Sequence, residues 1–270
     1  MVIENFFIHY QKPAQYLYWG ENYLDFYGVT GPDKTIKKIK TFNNISLLDI
    51  TSAQFQPIAR ELPALDTGVL LNSGNFIFNI FEFEKFPFQE KLKKELVEWR
   101  LKKVFPESID DYEHHFFSLK KTRVFSILIK KNIKAKIQQL FQDNNIPLIY
   151  IGNSTVEMIN YMAKAGKSAP DFFIEIDKNI TIVVFQENGL PYYIRKFRSD
   201  QAQDLVDEVI KTSKFVKNSY AKVPVTYSIT ADRPHSDLDF HFIHDQFAQL
   251  KLVARDIKDR DQLFFPGKKR

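Results

Sequence analysis

The sequence predicts an α/β protein of mixed sheets, built as two similar halves. Three observations carry this. Short alternating strands open the chain from Tyr16 and recur from Phe172, and each set gives way to alternating helical and strand periodicities. Between them, Ala165 to Pro170 reads AGKSAP, which is small, flexible and ended by proline, the composition of a boundary. A repeated order of elements on either side of such a boundary signals internal duplication. The halves are drawn at 1–166 and 167–270, the first carrying an insertion and the second a basic tail.

The first half opens with strands at Tyr16–Trp19, Tyr23–Val29 and Ile36–Phe42, separated by Gly20-Glu21-Asn22 and Thr30-Gly31-Pro32-Asp33. Ser52–Arg60 reads as a short helix interrupted by Pro57. Gly68–Pro106 is the organising stretch of this half. Phe76, Phe78 and Ile80 alternate along a strand, Phe81, Phe83 and Phe86 crowd its end, and a Phe-Pro corner leads into a helix from Gln89 to Phe105. Pro106 stops that helix by disfavouring the α region in the residue before it. Leu92, Leu96, Trp99 and Lys103 fall on one helical stripe, with Val97, Leu101, Val104 and Phe105 on its neighbour, and Trp99 is read as core. Two more strands lie at Tyr112–Leu119 and Arg123–Ile129. A helix capped by Asn132 comes next, then the strand LIYI, and then a helix opened by Ser154-Thr155-Val156-Glu157.

In the second half, Phe172–Phe185 is strand-like with a turn near Lys178-Asn179. A hairpin at Glu187-Asn188-Gly189 returns as Tyr192–Phe197. A long helix from about Asp200 to Tyr220 and a strand at Val223–Ile229 precede a tail of mixed signals, in which Asp237–Phe242 alternates like a strand with a wet face.

Composition narrows the chemistry. With 270 residues, 44% hydrophobic and 26% charged, the chain is long enough for a substantial core. It has no cysteine, so disulfides, thiolate metal sites and thiol nucleophiles are excluded. No apolar run approaches the roughly 18 residues of a membrane span, and MVIENFFIHYQKP lacks a signal-peptide pattern; both point to a cytoplasmic location. The net charge of +5 is dispersed, which fits solvation better than nucleic-acid binding, although a basic nucleic-acid module remains a third reading.

Most chemical motifs fail. Gly166-Lys167-Ser168 resembles the end of a phosphate loop, but Tyr161 stands where its first glycine belongs and Pro170 denies the following helix. His235, His241 and His244 lie near Asp237 and Asp239 with nothing to fix a second shell, and His114-His115 point to opposite faces of a strand. Nucleophile elbows, paired carboxylates and dinucleotide fingerprints are absent from the sequence.

As an ordered series, Tyr16 to Asp256 resembles the actin-like (ribonuclease H-like) fold of pilus and secretion scaffolds. These are the PilM family of type IV pilus assembly and the cytoplasmic domain of the type II secretion protein GspL. The resemblance rests on the strand, Pro corner and helix of Phe76–Pro106, on the series Arg123–Ala165, and on Ile174–Arg195 with the long helix after it. Actin-like ATPases hold phosphates with two glycine turns that follow acidic strand ends, and adenosine with a third glycine-rich loop. The resemblance places Gly20 in the first turn, with Tyr18 where the acid belongs. In the second it places Glu175 at the acidic position and Thr181 at the threonine, but Asp177 replaces the glycine. Tyr227–Arg233 (YSITADR) contains no glycine. A carboxylate facing a phosphate costs affinity through like-charge repulsion and bulk.

The resemblance therefore implies a degenerate, non-catalytic site with no bound cofactor. It implies a pseudo-ATPase scaffold at the cytoplasmic face of an inner-membrane platform, contacting a PilN-like partner or its own membrane span, and the assembly ATPase. A second copy of the chain is a further candidate partner. Phe86, Phe88, Lys94 and Arg100 are the expected partner contacts. Gly267-Lys268-Lys269-Arg270 is a basic cluster of the kind that borders a span on its cytoplasmic side. The rival reading is a working ATP-binding protein of the actin-like type, with Gly20, Glu175 and Thr181 around the phosphates and Asp177 open to a magnesium ion.

Overall fold

The computed structural model describes residues 13–30, 35–105, 108–119, 122–231 and 238–255. Most of the leader, the Gly31-Pro32-Asp33 turn, Pro106, Lys120-Lys121, Arg233, His235, Asp237 and the basic tail lie outside them. Two compact units meet in sequence at Ser154 and Thr155. The boundary drawn from sequence at 166/167 falls further on, in a short 3-10 turn at Gly166–Ser168.

The first unit opens as an antiparallel meander of β1 (Gln15–Trp19), β2 (Tyr23–Thr30) and β3 (Thr35–Asn43). After α1 (Ser52–Glu61), β4 (Thr67–Leu71) pairs parallel to β1, and β8 (Leu148–Asn153) pairs parallel to β4. The sheet order is thus β3-β2-β1-β4-β8. Every residue of β1 is buried, so this strand is covered on both faces. On one of them Trp19 stacks on Phe55 of α1 at 5.9 Å, and Phe55 lies 5.7 Å from Phe141. Phe141 belongs to α3 (Lys131–Asp143).

Helix α1 is not interrupted by Pro57. Thr51 and Gln54 form a capping box, the proline removes one ladder bond, and burial of Phe55 and Ile58 offsets that loss. The cap expected at Asn132 is displaced to Lys130, because the strand before α3 runs directly into the helix. At the other end of α3, Asn145 adopts φ 54°, as expected for a helix stop at Asn144-Asn145.

Between β4 and β8 lies an inserted antiparallel sheet of order β5-β7-β6, built from β5 (Phe76–Glu82), β6 (Tyr112–Ser118) and β7 (Arg123–Lys130). Helix α2 (Glu90–Val104) covers one of its faces, with Val97 and Leu101 packed on Phe81, Val124 and Leu128. Gln89 and Phe105 serve as its caps.

The second unit repeats the pattern. Strands β9 (Phe172–Asp177), β10 (Ile180–Glu187) and β11 (Leu190–Arg198) form the meander. Helix α5 (Ala202–Tyr220) leads to β12 (Thr226–Ala231), and α6 (Phe240–Gln249) leads to β13 (Val253–Ala254). The order β11-β10-β9-β12-β13 reproduces that of the first sheet, with the same antiparallel and parallel steps. The internal duplication is real at the level of topology.

Phe172, Ile174, Ile176, Val183 and Phe185 face a core closed by α5 and α6. Helix α4 (Ser154–Ala165) buries Val156, Met158, Ile159 and Met162, and its backbone passes close to Gly189 of the β10–β11 turn. Gly189 has φ 79° and follows Asn188 at 54°, the left-handed pair that a two-residue hairpin demands. Of the stretch read as a wet strand face at Asp237–Phe242, the described part, Leu238–Phe242, instead leads into α6. Asp239 accepts a hydrogen bond from the Phe242 amide, and Ile243 and Phe247, four apart, are buried.

Candidate functional site

In the first turn, Gly20 closes the β1–β2 hairpin by donating its amide to the Tyr23 carbonyl at 3.0 Å. The Tyr23 ring lies directly on this glycine, and a Cβ built there would overlap it. Tyr18, Tyr23 and Asp25 share one face of the sheet, because Tyr18 pairs with Asp25 in the register. Tyr18 and Tyr23 are buried with their ring centroids 6.0 Å apart. Asp25, also buried, accepts from Thr41 Oγ1 at 2.5 Å and from Lys38 Nζ at 3.2 Å. The glycine here serves a tyrosine ring, and the nearby carboxylate is tied into its own sheet.

The second turn joins β9 to β10 through Lys178, at φ 53°. Glu175 and Asp177, two residues apart, lie on one face of β9, and both are about 2% exposed. Glu175 Oε2 accepts from Thr155 Oγ1 of α4 at 2.6 Å, and Thr230 of β12 stands beside it in the parallel register. Thr181 pairs with Ile176 and so faces the other way, into the core under α5 and α6. Its Oγ1 bonds Ser199 Oγ at 2.6 Å. Glu175 and Asp177 are therefore brought together, and Thr181 is held apart from them.

No family model matches the chain, and no curated protein matches it. Solved structures do. The PilM–PilN type IV pilus biogenesis complex aligns with a TM-score of 0.66 at 14% identity, over 90% of this chain and 88% of that one. A Bacteroides thetaiotaomicron protein with an actin-like ATPase fold and unknown function aligns at 0.60 and 10% identity, over 90% of each chain. The cytoplasmic domain of EpsL, an inner-membrane component of the Vibrio cholerae type II secretion system, aligns at 0.58 and 10%, over 94% and 93%. The fold is actin-like. At these identities the likeness is one of fold.

Of the stretch read as the third loop, Tyr227–Ala231 lies in β12; Tyr227 is buried, its hydroxyl lies 2.5 Å from His244 Nδ1 of α6, and burial pushes that phenol's pKa up. His241 and His244 sit on α6, and among the described residues no three His, Asp or Glu side chains are placed to hold a metal ion.

The expected partner contacts divide. Phe86 stacks on Phe83 at 5.3 Å and packs under α2, so it belongs to the inserted sheet's core. Phe88 is fully exposed, Lys94 approaches Glu98 at 3.9 Å, and Arg100 is exposed. Trp99, read as core, is 50% exposed. Helix α2 packs on its sheet through Val97 and Leu101, and Trp99 is nearly opposite on the helix.

Sequence reasoning missed the residues that complete these turns. Thr155 was visible as a helix-start residue, but its pairing with Glu175 twenty positions away was not. Ser199 and Tyr23 carry no local signal at all. His114 faces Glu98 of α2 at 3.9 Å, and His115, on the opposite face, bonds Glu113 at 3.1 Å. Burial holds both histidine pKa values below the ordinary value, against the pull of those carboxylates. Glu113, despite its own burial, is held below the usual carboxylate range by Lys134 and His115.

Proposed function

We propose that this chain is a non-catalytic actin-like scaffold at the cytoplasmic face of an inner-membrane platform for pilus assembly or type II secretion. It binds a short cytoplasmic segment of a PilN-like membrane protein and relays that contact to the assembly ATPase. The observation that carries the reading is the state of the two turns. A tyrosine ring occupies the approach to Gly20, and a buried carboxylate, Asp177, stands where the second turn needs a glycine. Phosphate cradles depend on backbone amides that a ligand can reach, and on the absence of opposing charge. Neither turn offers that, so ATP and magnesium do not fit. The fold shared with PilM–PilN and the EpsL domain supports the choice of machine. Exposed residues at the corner and along the flanks of α2, namely Phe88, Lys94 and Arg100, are the surface assigned to the partner segment.

The test has two arms. Calorimetric titration with magnesium-ATP gives no binding heat, and Asp177→Gly alone does not restore it, because Tyr23 still covers the first turn. A synthetic N-terminal segment of the membrane partner binds at micromolar concentration, and Phe88→Ser with Arg100→Glu abolishes that binding. Micromolar ATP binding by the native chain overturns the pseudo-ATPase reading in favour of an active actin-like ATP-binding protein. Failure of the segment to bind overturns the scaffold.

A further inference from the structure

Helix α2 has two apolar sides, and among the described residues only one is packed. Val97 and Leu101 meet the inserted sheet. Leu92, Leu96 and Trp99, at spacings of four and three, form a second stripe. Leu92 is 44% exposed and Trp99 50%. Lys103 continues the stripe and lays its ammonium 3.8 Å from the Trp99 ring centroid.

The charge around this stripe is lopsided. Helix α2 carries six basic residues against three acidic ones. Glu90 and Glu98 are engaged by Lys93 and Lys94, towards the sheet side of the helix. Lys102 and Lys103 stand beside Trp99, with Glu95 the one remaining acidic residue of the helix. A second copy of the same face would bring like charges together. The occupant must therefore be acidic.

We infer that this outer face of α2 docks on an anionic lipid surface. An exposed tryptophan flanked by lysines suits the headgroup layer: the indole sits at the apolar boundary while long cationic side chains reach phosphates. The inference rests on the placement of the protein at a membrane proposed above, and it uses a different face. Lys94, Val97 and Leu101 share the sheet side of the helix, whereas Leu92, Trp99 and Lys103 point away from it.

Trp19 is fully buried, so a shift in tryptophan emission on docking reports Trp99. The full chain sediments with phosphatidylcholine vesicles that contain phosphatidylglycerol, with a blue-shifted emission. It does neither with phosphatidylcholine alone, and soluble glycerol phosphate leaves the emission unchanged. Lys102→Glu with Lys103→Glu weakens partition about tenfold or more, as does raised salt. Leu92→Ser with Trp99→Ala abolishes it, while circular dichroism shows both variants folded. Equal binding to neutral vesicles, binding that survives both variants, or no sedimentation overturns the inference. So does a lipid-free dimer that Trp99→Ala dissociates, since the face would then belong to a second copy. Loss of vesicle binding with segment binding intact removes only the lipid surface; the reverse removes only the scaffold.

Discussion

The hydroxyl of Thr155 donates to Oε2 of Glu175 across 2.6 Å, with both side chains withdrawn from solvent. This bond anchors the start of α4 to a carboxylate near the end of β9. A carboxylate kept out of water must be held by donors. Thr155→Val keeps the shape and removes one, so it destabilises the chain by about 1–3 kcal/mol, and urea denaturation followed by circular dichroism measures the loss. No change in the urea midpoint would show that the carboxylate does not depend on this donor.

The first turn makes a steric prediction. Gly20→Ala places a methyl in the Tyr23 ring, which is buried and has little room to yield. Overpacking of this kind costs about 1–3 kcal/mol. Measured in a Tyr23→Leu background, the cost of Gly20→Ala shrinks, and a double-mutant cycle gives the coupling. Equal costs in the two backgrounds would mean that the glycine serves something other than the ring.

The two sides of α2 separate stability from surface. Leu101→Ala opens a cavity under the helix and costs about 2–5 kcal/mol. Trp99→Ala, half exposed, stays within about 0.5 kcal/mol of the native chain. Thermal or urea unfolding of the two variants in parallel distinguishes them. Equal losses would place Trp99 in the core after all.

His114 and His115 make stability fall in mild acid. Burial lowers both pKa values from 6.5, and the facing Glu98 and Glu113 only partly restore them. Below that value the unfolded chain takes up protons that the folded chain does not, so stability rises with pH through the window and is lost as pH drops below 6.5. Glu113, held below the usual carboxylate range, contributes a separate loss at lower pH. Urea midpoints taken from pH 7.5 downward follow this slope, and His114→Phe flattens it. An unchanged slope in that variant would move its origin elsewhere.

Much of the local structure was legible in the amino acids. Gln89 and Phe105 proved to be the caps of α2, and Asn188-Gly189 made the expected hairpin. Turn and cap chemistry acts over a few residues, so a few residues reveal it. The stretch Leu238–Phe242 misled because a short alternation fits a strand and a helix start equally well, and burial of Ile243 and Phe247 decided between them.

By itself the sequence determined the order of elements, the duplication and the absence of glycine from Tyr227–Arg233. Periodicity and residue chemistry are properties of the chain alone. Tertiary structure decided which faces meet. It set Thr181 opposite Glu175, laid Tyr23 over Gly20, gave Glu175 its donor from α4, and left Trp99 outside. Those outcomes depend on strand register and on packing between residues far apart in the chain, and no local pattern encodes either one.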